Sequence, residues 1–155
     1  MALLKEAPDF TLPDESGRLV SLKDLLGKQC LVLFFYPKDG SPICSAEACA
    51  FRDRYHQFVD RGATVVGISS DSVDSHRQFH KQKNLPFRLL SDKSGQVSKS
   101  YGVGSWFGLI PARATFIIDK QGFIRYTFKS QLNAQKHIAE SLRLLAQINN
   151  QNEDR

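Results

Sequence analysis

Leu31-Val32-Leu33-Phe34-Phe35 is an unbroken apolar run. The residues after it, Tyr36-Pro37-Lys38-Asp39-Gly40-Ser41-Pro42-Ile43-Cys44-Ser45-Ala46-Glu47-Ala48-Cys49, pass through Pro and Gly into the opening of a helix. A short apolar run bounded by turn residues reads as a strand buried on both faces. Ser41 is a good N-cap, and Pro42 then falls at N1, where its missing N–H costs nothing. Cys44 is thereby expected in the first helical turn, among unsatisfied backbone N–H groups and at the positive end of the helix dipole. Both features favour a thiolate, the reactive form of cysteine.

Working outward, a helix is predicted over 43–60, with Ala48, Phe51, Tyr55, Phe58 and Val59 at helical spacing. A second buried strand is expected over 63–69, a helix capped near Ser72 running to Lys83, a short strand over 87–90 and a short helix over 94–101. Two strands, 113–119 and 123–128, are joined by a turn at Asp119-Lys120-Gln121-Gly122. A last helix over 131–148 carries Ile138, Leu142, Leu145 and Ile148 on one stripe. Toward the N-terminus, residues 7–14 alternate apolar and polar between prolines, as an edge strand or hairpin does, and residues 21–27 form a short helical turn capped by Ser21. The order β-α-β-α, then a hairpin, then a helix predicts an α/β chain with a thioredoxin-like fold, a mixed central β-sheet flanked by helices on both faces. Residues 1–148 are expected to form one domain, and the polar residues 149–155 a flexible tail.

Composition narrows the class. The chain has 155 residues, 41% hydrophobic and 24% charged, ordinary values for one globular domain. The net charge is +5, but Lys and Arg are interleaved with acids and form no run, so no nucleic-acid partner is expected. Met1-Ala2-Leu3-Leu4-Lys5-Glu6 is too short and too soon charged for a signal sequence, and no apolar stretch approaches the roughly 18 residues that span a bilayer. Three cysteines, one pair of them close, suit thiol chemistry in a reducing compartment and not a disulfide scaffold. The expected location is cytoplasmic, although a cleaved transit peptide would leave no trace.

Residues 36–53 resemble the active-site segment of the peroxiredoxins, thiol peroxidases that reduce hydroperoxides. The family pattern P-x-x-x-[TS]-x-x-C is matched by Pro37, Ser41 and Cys44. Cys49, five residues on, with Ala50-Phe51-Arg52-Asp53, resembles the peroxiredoxin Q or bacterioferritin comigratory protein branch. The likeness extends to Ala7-Pro8-Asp9-Phe10-Thr11-Leu12 and to the arginine of Pro111-Ala112-Arg113-Ala114-Thr115-Phe116. The branch pattern more often has Thr at the position of Ser41, which keeps the hydroxyl, and Gly at that of Ile43, which would narrow the pocket.

The resemblance implies a cofactor-free, metal-free monomer that takes hydroperoxides as substrate and a thioredoxin-type or glutaredoxin-type reductant. Cys44 would be the peroxidatic thiol and Cys49 the resolving one. Peroxide chemistry needs a thiolate nucleophile, a donor for the attacked oxygen and positive charge where the leaving oxygen becomes anionic. Ser41 can hydrogen-bond the peroxide, Arg113 supplies the permanent cation, and Pro37 shapes and shields the turn. The resulting sulfenic acid condenses with a thiol. Cα atoms five residues apart on a helix stand about 8.6 Å from each other, whereas a disulfide requires less than about 7 Å. A Cys44–Cys49 bond therefore predicts that the first helical turn unwinds.

Other groups carry less chemistry. Cys30 opens the core strand as a small buried hydrophobe. His76 and His80 share a helix face at i, i+4, but no third zinc ligand accompanies them, and C-x4-C lacks the further cysteines of an iron–sulfur run. Trp106 and Phe107 either rim the site or pack. A thiol–disulfide oxidoreductase on the same fold is the nearest rival, weakened by the lack of C-x-x-C. A redox sensor or holdase is a rival of another class, separable by whether peroxide consumption turns over.

Overall fold

A computed structural model describes residues 5–106, 110–129 and 134–153. In chain order these form β1 (Lys5–Glu6), β2 (Thr11–Pro13), β3 (Leu19–Ser21), α1 (Leu22–Leu25), β4 (Cys30–Phe35), α2 (Pro42–Asp53), α3 (Tyr55–Asp60) and β5 (Ala63–Ser69). There follow α4 (Val73–Lys83), β6 (Arg88–Ser91), α5 (Gln96–Ser100), β7 (Ser105–Trp106), β8 (Ile110–Pro111), β9 (Ala114–Ile118), β10 (Phe123–Lys129) and α6 (Ala134–Glu153).

The main sheet has the order β1-β10-β9-β4-β5-β6. β4, β5 and β6 run parallel, while β9 is antiparallel to β4 and to β10. This is the mixed, thioredoxin-like sheet expected from the sequence. β4 is central and buried along its whole length, which is why its sequence shows no alternation. Its pleat sends Cys30, Val32 and Phe34 into a core shared with α2, α3 and α6, and Leu31, Leu33 and Phe35 into a second core under α1 and the β2–β3 hairpin. Gly67 on β5 makes room for the first core, since a Cβ there would lie 2.8 Å from Phe34 Cζ.

Two helices and one residue depart from expectation. The helix predicted over 43–60 breaks at Arg54 (φ −111°, ψ 15°) into α2 and α3. Phe51 and Phe58 remain buried together across the break, with ring centroids 5.4 Å apart, so hydrophobic periodicity reads straight through it. Val59, placed on the apolar face by spacing, is exposed. The last helix continues to Glu153, into the segment expected as tail, because no Gly or Pro stops it. No helix among the described residues is long and apolar enough to cross a membrane.

The register of the sheet places the chemistry. Phe35 pairs with Ala114, so the exit of β4 toward Cys44 lies beside the entry to β9, where Arg113 stands. Two residues 69 apart in sequence are brought together by an antiparallel strand pair.

Candidate active site

Ser41 is the N-cap of α2 with extended backbone (φ −68°, ψ 152°), and Pro42 follows at N1. The capping position matches expectation, but the capping bond does not. The Ser41 hydroxyl instead donates to the Lys38 carbonyl at 3.1 Å, within the turn that precedes the helix. Pro37 is half-buried at the start of that turn. Cys44 sits in the first turn, only 1% exposed, because its side chain points inward with Ala48 and Phe51.

Arg113 reaches Cys44. Its Nη2 donates to Cys44 Sγ at 3.1 Å and its Nη1 to Glu47 Oε1 at 2.5 Å. Both side chains of that ion pair are buried. Glu47 follows Cys44 by three residues, so the two share a helix face and one guanidinium serves both. Burial opposes the Arg113 charge, but Glu47 and then Cys44 outweigh it and raise the guanidinium above its ordinary value. Burial raises the Glu47 carboxyl to about 7, against the pull of Arg113.

Glu47 Oε2 has no hydrogen-bond partner among the described residues. His137 Nδ1 on α6 stands 3.7 Å from that oxygen, beyond hydrogen-bond range, and lies 2.6 Å from Thr115 Oγ1 on β9. Sequence reasoning missed Glu47. Its i+3 spacing from Cys44 was the available signal.

Cys49 is partly exposed further along α2, and the three cysteines are free thiols. With both Cys44 and Cys49 inside one regular helix, the separation of about 8.6 Å applies. Cys30 is buried at the start of β4, away from this cluster, and burial raises its thiol. His76 and His80 do not converge: His76 is buried against Asp39, whereas His80 is part-exposed near Glu15. Phe107 lies outside the described residues, as does the side chain of Trp106.

The one grouping of metal-type ligand atoms found among the described residues is Asp39, Asp71 and His76, all within 4.8 Å. However, His76 Nδ1 meets Asp39 Oδ2 at 2.6 Å and His76 Nε2 meets the Leu90 carbonyl at 2.9 Å. Both ring nitrogens are engaged in hydrogen bonds, which leaves neither free to coordinate a metal. A nucleophilic thiol beside a fixed cation, at a strand-to-helix junction, is equipped instead to attack a neutral, polarisable bond and to stabilise the departing anion.

Residues 3–127 match the AhpC/TSA family. The chain is 48% identical over 142 residues to the chloroplastic peroxiredoxin Q of Sedum lineare, covering 91% of this chain and 76% of that protein. It is 46% identical over 143 residues to the chloroplastic peroxiredoxin Q of Oryza sativa subsp. japonica, covering 92% of this chain. The chain spans 65% of the length of that rice relative. Among solved structures, peroxidoxin BcpB from Mycobacterium tuberculosis superposes with a TM-score of 0.87 at 34% identity, over 96% of this chain and 98% of that one. Family model, relatives and fold agree, and the chain belongs to the AhpC/TSA family, in its peroxiredoxin Q branch.

Proposed function

We propose that the chain is a thiol-dependent peroxidase that reduces hydrogen peroxide and organic hydroperoxides at Cys44. The observation that carries this reading is the buried 3.1 Å hydrogen bond from Arg113 Nη2 to Cys44 Sγ. The thiolate sulfur of Cys44 attacks one peroxide oxygen. An S–O bond forms and the O–O bond breaks, and its electron pair leaves on the alkoxide or hydroxide, which then takes up a proton. Sulfur is oxidised to a sulfenic acid and the peroxide is reduced to an alcohol or water. Arg113 sits where the departing negative charge develops. Ser41 would assist by turning its hydroxyl from Lys38 to the bound peroxide, and Pro37 would keep water from that side.

Cys49 is the resolving thiol. Its sulfur displaces the sulfenic oxygen, with loss of one water molecule and formation of the Cys44–Cys49 disulfide. The helical distance requires the first part of α2 to unwind for this step. A thioredoxin- or glutaredoxin-type dithiol then reduces the disulfide by exchange. Resolution within one chain supports a monomer as the working unit, and the need for a dithiol reductant in every cycle supports a reducing compartment such as the cytoplasm.

The test is peroxide consumption with a dithiol reductant. The wild type sustains many turnovers, Cys44→Ser none, and Cys49→Ser reacts once and stops as a trappable sulfenic acid. A wild type that consumes a single slow equivalent would overturn the peroxidase reading in favour of a redox sensor.

A further inference from the structure

The segment ahead of Cys44 is held by a buried polar network that takes no part in the chemistry above. Asp39, in the turn between β4 and α2, accepts from Tyr36 Oη at 2.5 Å on Oδ1, and from Ser75 Oγ at 2.8 Å on Oδ2. His76 Nδ1 approaches the same Oδ2 at 2.6 Å. The opposite ring nitrogen, Nε2, faces the Leu90 carbonyl at 2.9 Å. A carbonyl oxygen only accepts, so Nε2 donates to Leu90, while Nδ1 and Asp39 Oδ2 share the second hydrogen bond of the ring. His76 is fully buried on α4.

The other groups facing the pair complete the network. Burial, and then the Asp39 charge, hold the Tyr36 phenol well above its ordinary value, so it stays a donor. The backbone N–H of Asp39 donates to Asp71 Oδ2 at 2.8 Å, and that oxygen also accepts from Ser69 Oγ at 2.6 Å. Asp39 is thus tied by side chain and backbone to β4, the end of β5 and α4 at once.

We propose that Asp39 and His76 are positioning residues for the peroxide step. Their buried hydrogen bond fixes residues 37–41, so that Pro37, Ser41 and the first turn of α2 return to one geometry around Cys44 after each unwinding. This rests on the reading of Cys44 as the peroxidatic thiol. The pair touches neither thiol, so its effect falls on one half-reaction. Attack on peroxide needs the ordered turn, whereas disulfide formation needs α2 to open. Loosening the anchor should slow the first step and leave the second unchanged or faster.

The experiment measures both steps in single-turnover mixing with hydrogen peroxide, counting Cys44 sulfenic acid and the Cys44–Cys49 disulfide by mass spectrometry. Asn can keep the hydrogen bond that Nδ1 makes with Asp39, whereas Gln can keep only the one that Nε2 makes with Leu90. Losing a buried hydrogen bond to a charged group corresponds to about tenfold or more in rate if it is expressed wholly in the transition state. His76→Gln is therefore expected to lose about tenfold in the second-order rate of Cys44 oxidation, and His76→Asn clearly less, with disulfide formation not slowed in either. Tyr36→Phe keeps the ring packing and removes one donor to Asp39, so it tests the same claim without a substitution on α4. It should show a smaller loss in the same step.

Equal losses for Asn and Gln, both steps slowed together, or an unchanged peroxide step in all three variants would overturn the proposal. A wild type that forms no peroxide-dependent sulfenic acid at Cys44 would overturn the peroxidase reading and this inference with it. A reactive wild type with indifferent variants overturns the positioning role alone.

Discussion

Glu47→Gln removes a buried charge while keeping an acceptor for Arg113 Nη1. In the folded chain burial raises Glu47 to about 7 in spite of Arg113, and in the unfolded chain it returns to an ordinary value of 4.5. Between those limits the folded state binds a proton that the unfolded state has lost. Stability contributed by this group is therefore complete below pH 4.5, falls as pH rises, and levels off above about 7. At about 1.4 kcal/mol per pH unit, the whole interval corresponds to about 3 kcal/mol. Other groups titrate in the same range, so the informative quantity is the difference between the two proteins. In urea unfolding followed at fixed pH from 4.5 to 8, the Gln variant is expected to gain about 3 kcal/mol on the wild type across the interval, with no further gain at higher pH. Parallel curves would refute the reasoning. They would mean that Arg113 compensates the burial of the carboxylate and that Glu47 is charged throughout.

Arg113→Met removes the cation beside the thiol and should lower the second-order rate with hydrogen peroxide by about tenfold to a hundredfold, read by competition with a haem peroxidase. Arg113→Lys should fall between, because one ammonium cannot reproduce the fork that serves Cys44 and Glu47 together. Oxidation with one equivalent of peroxide should reduce the helical circular dichroism by about one to two turns, reversed by a dithiol, and an unchanged signal would remove the unwinding step. Gly67→Ala should destabilise by about 1–3 kcal/mol in urea unfolding, since the new methyl meets Phe34 and Leu89 inside the packed sheet face.

Much of the fold was legible because local signals agreed with the tertiary outcome. β4 was visible as an unbroken apolar run, and α4 begins where Ser72 was read as its cap, with Ser75 N–H donating to Ser72 Oγ. The turn after β9 is closed by Asp119 Oδ1, which accepts from the backbone of Gln121 and Phe123, as its Asp and Gly suggested. The break at Arg54 was not legible, because neither Pro nor Gly marks it and the apolar face continues past it. Within the site, Cys44 and Arg113 were found from a motif and meet as expected. The Ser41 hydroxyl, read as accepting a cap bond, instead donates to the Lys38 carbonyl, and the two roles look alike in sequence. Glu47 passed as an ordinary helix former, its partner 66 residues downstream. His76 reads in sequence only as the partner of His80 on one face of an amphipathic helix, because only the placement of α4 beside the β4–α2 turn brings it to Asp39, 37 residues earlier.

The far half of α2 sets a limit on how much of the helix can melt. The Phe51 ring stacks on Phe34 with centroids 4.5 Å apart and meets Phe87 edge-on, and Arg52 Nη1 donates to the Lys83 carbonyl at 2.6 Å. In the proposed resolving step, a melting front that starts at Pro42 would therefore travel as far as Cys49 and halt at the aromatic stack, just past the second thiol. The freed segment is a short tether with both ends nailed to the sheet, so it explores few shapes, and the entropy lost on rewinding is small. Such a helix behaves less like a disordered loop than like a sprung catch, opened only for the length that the two sulfurs need.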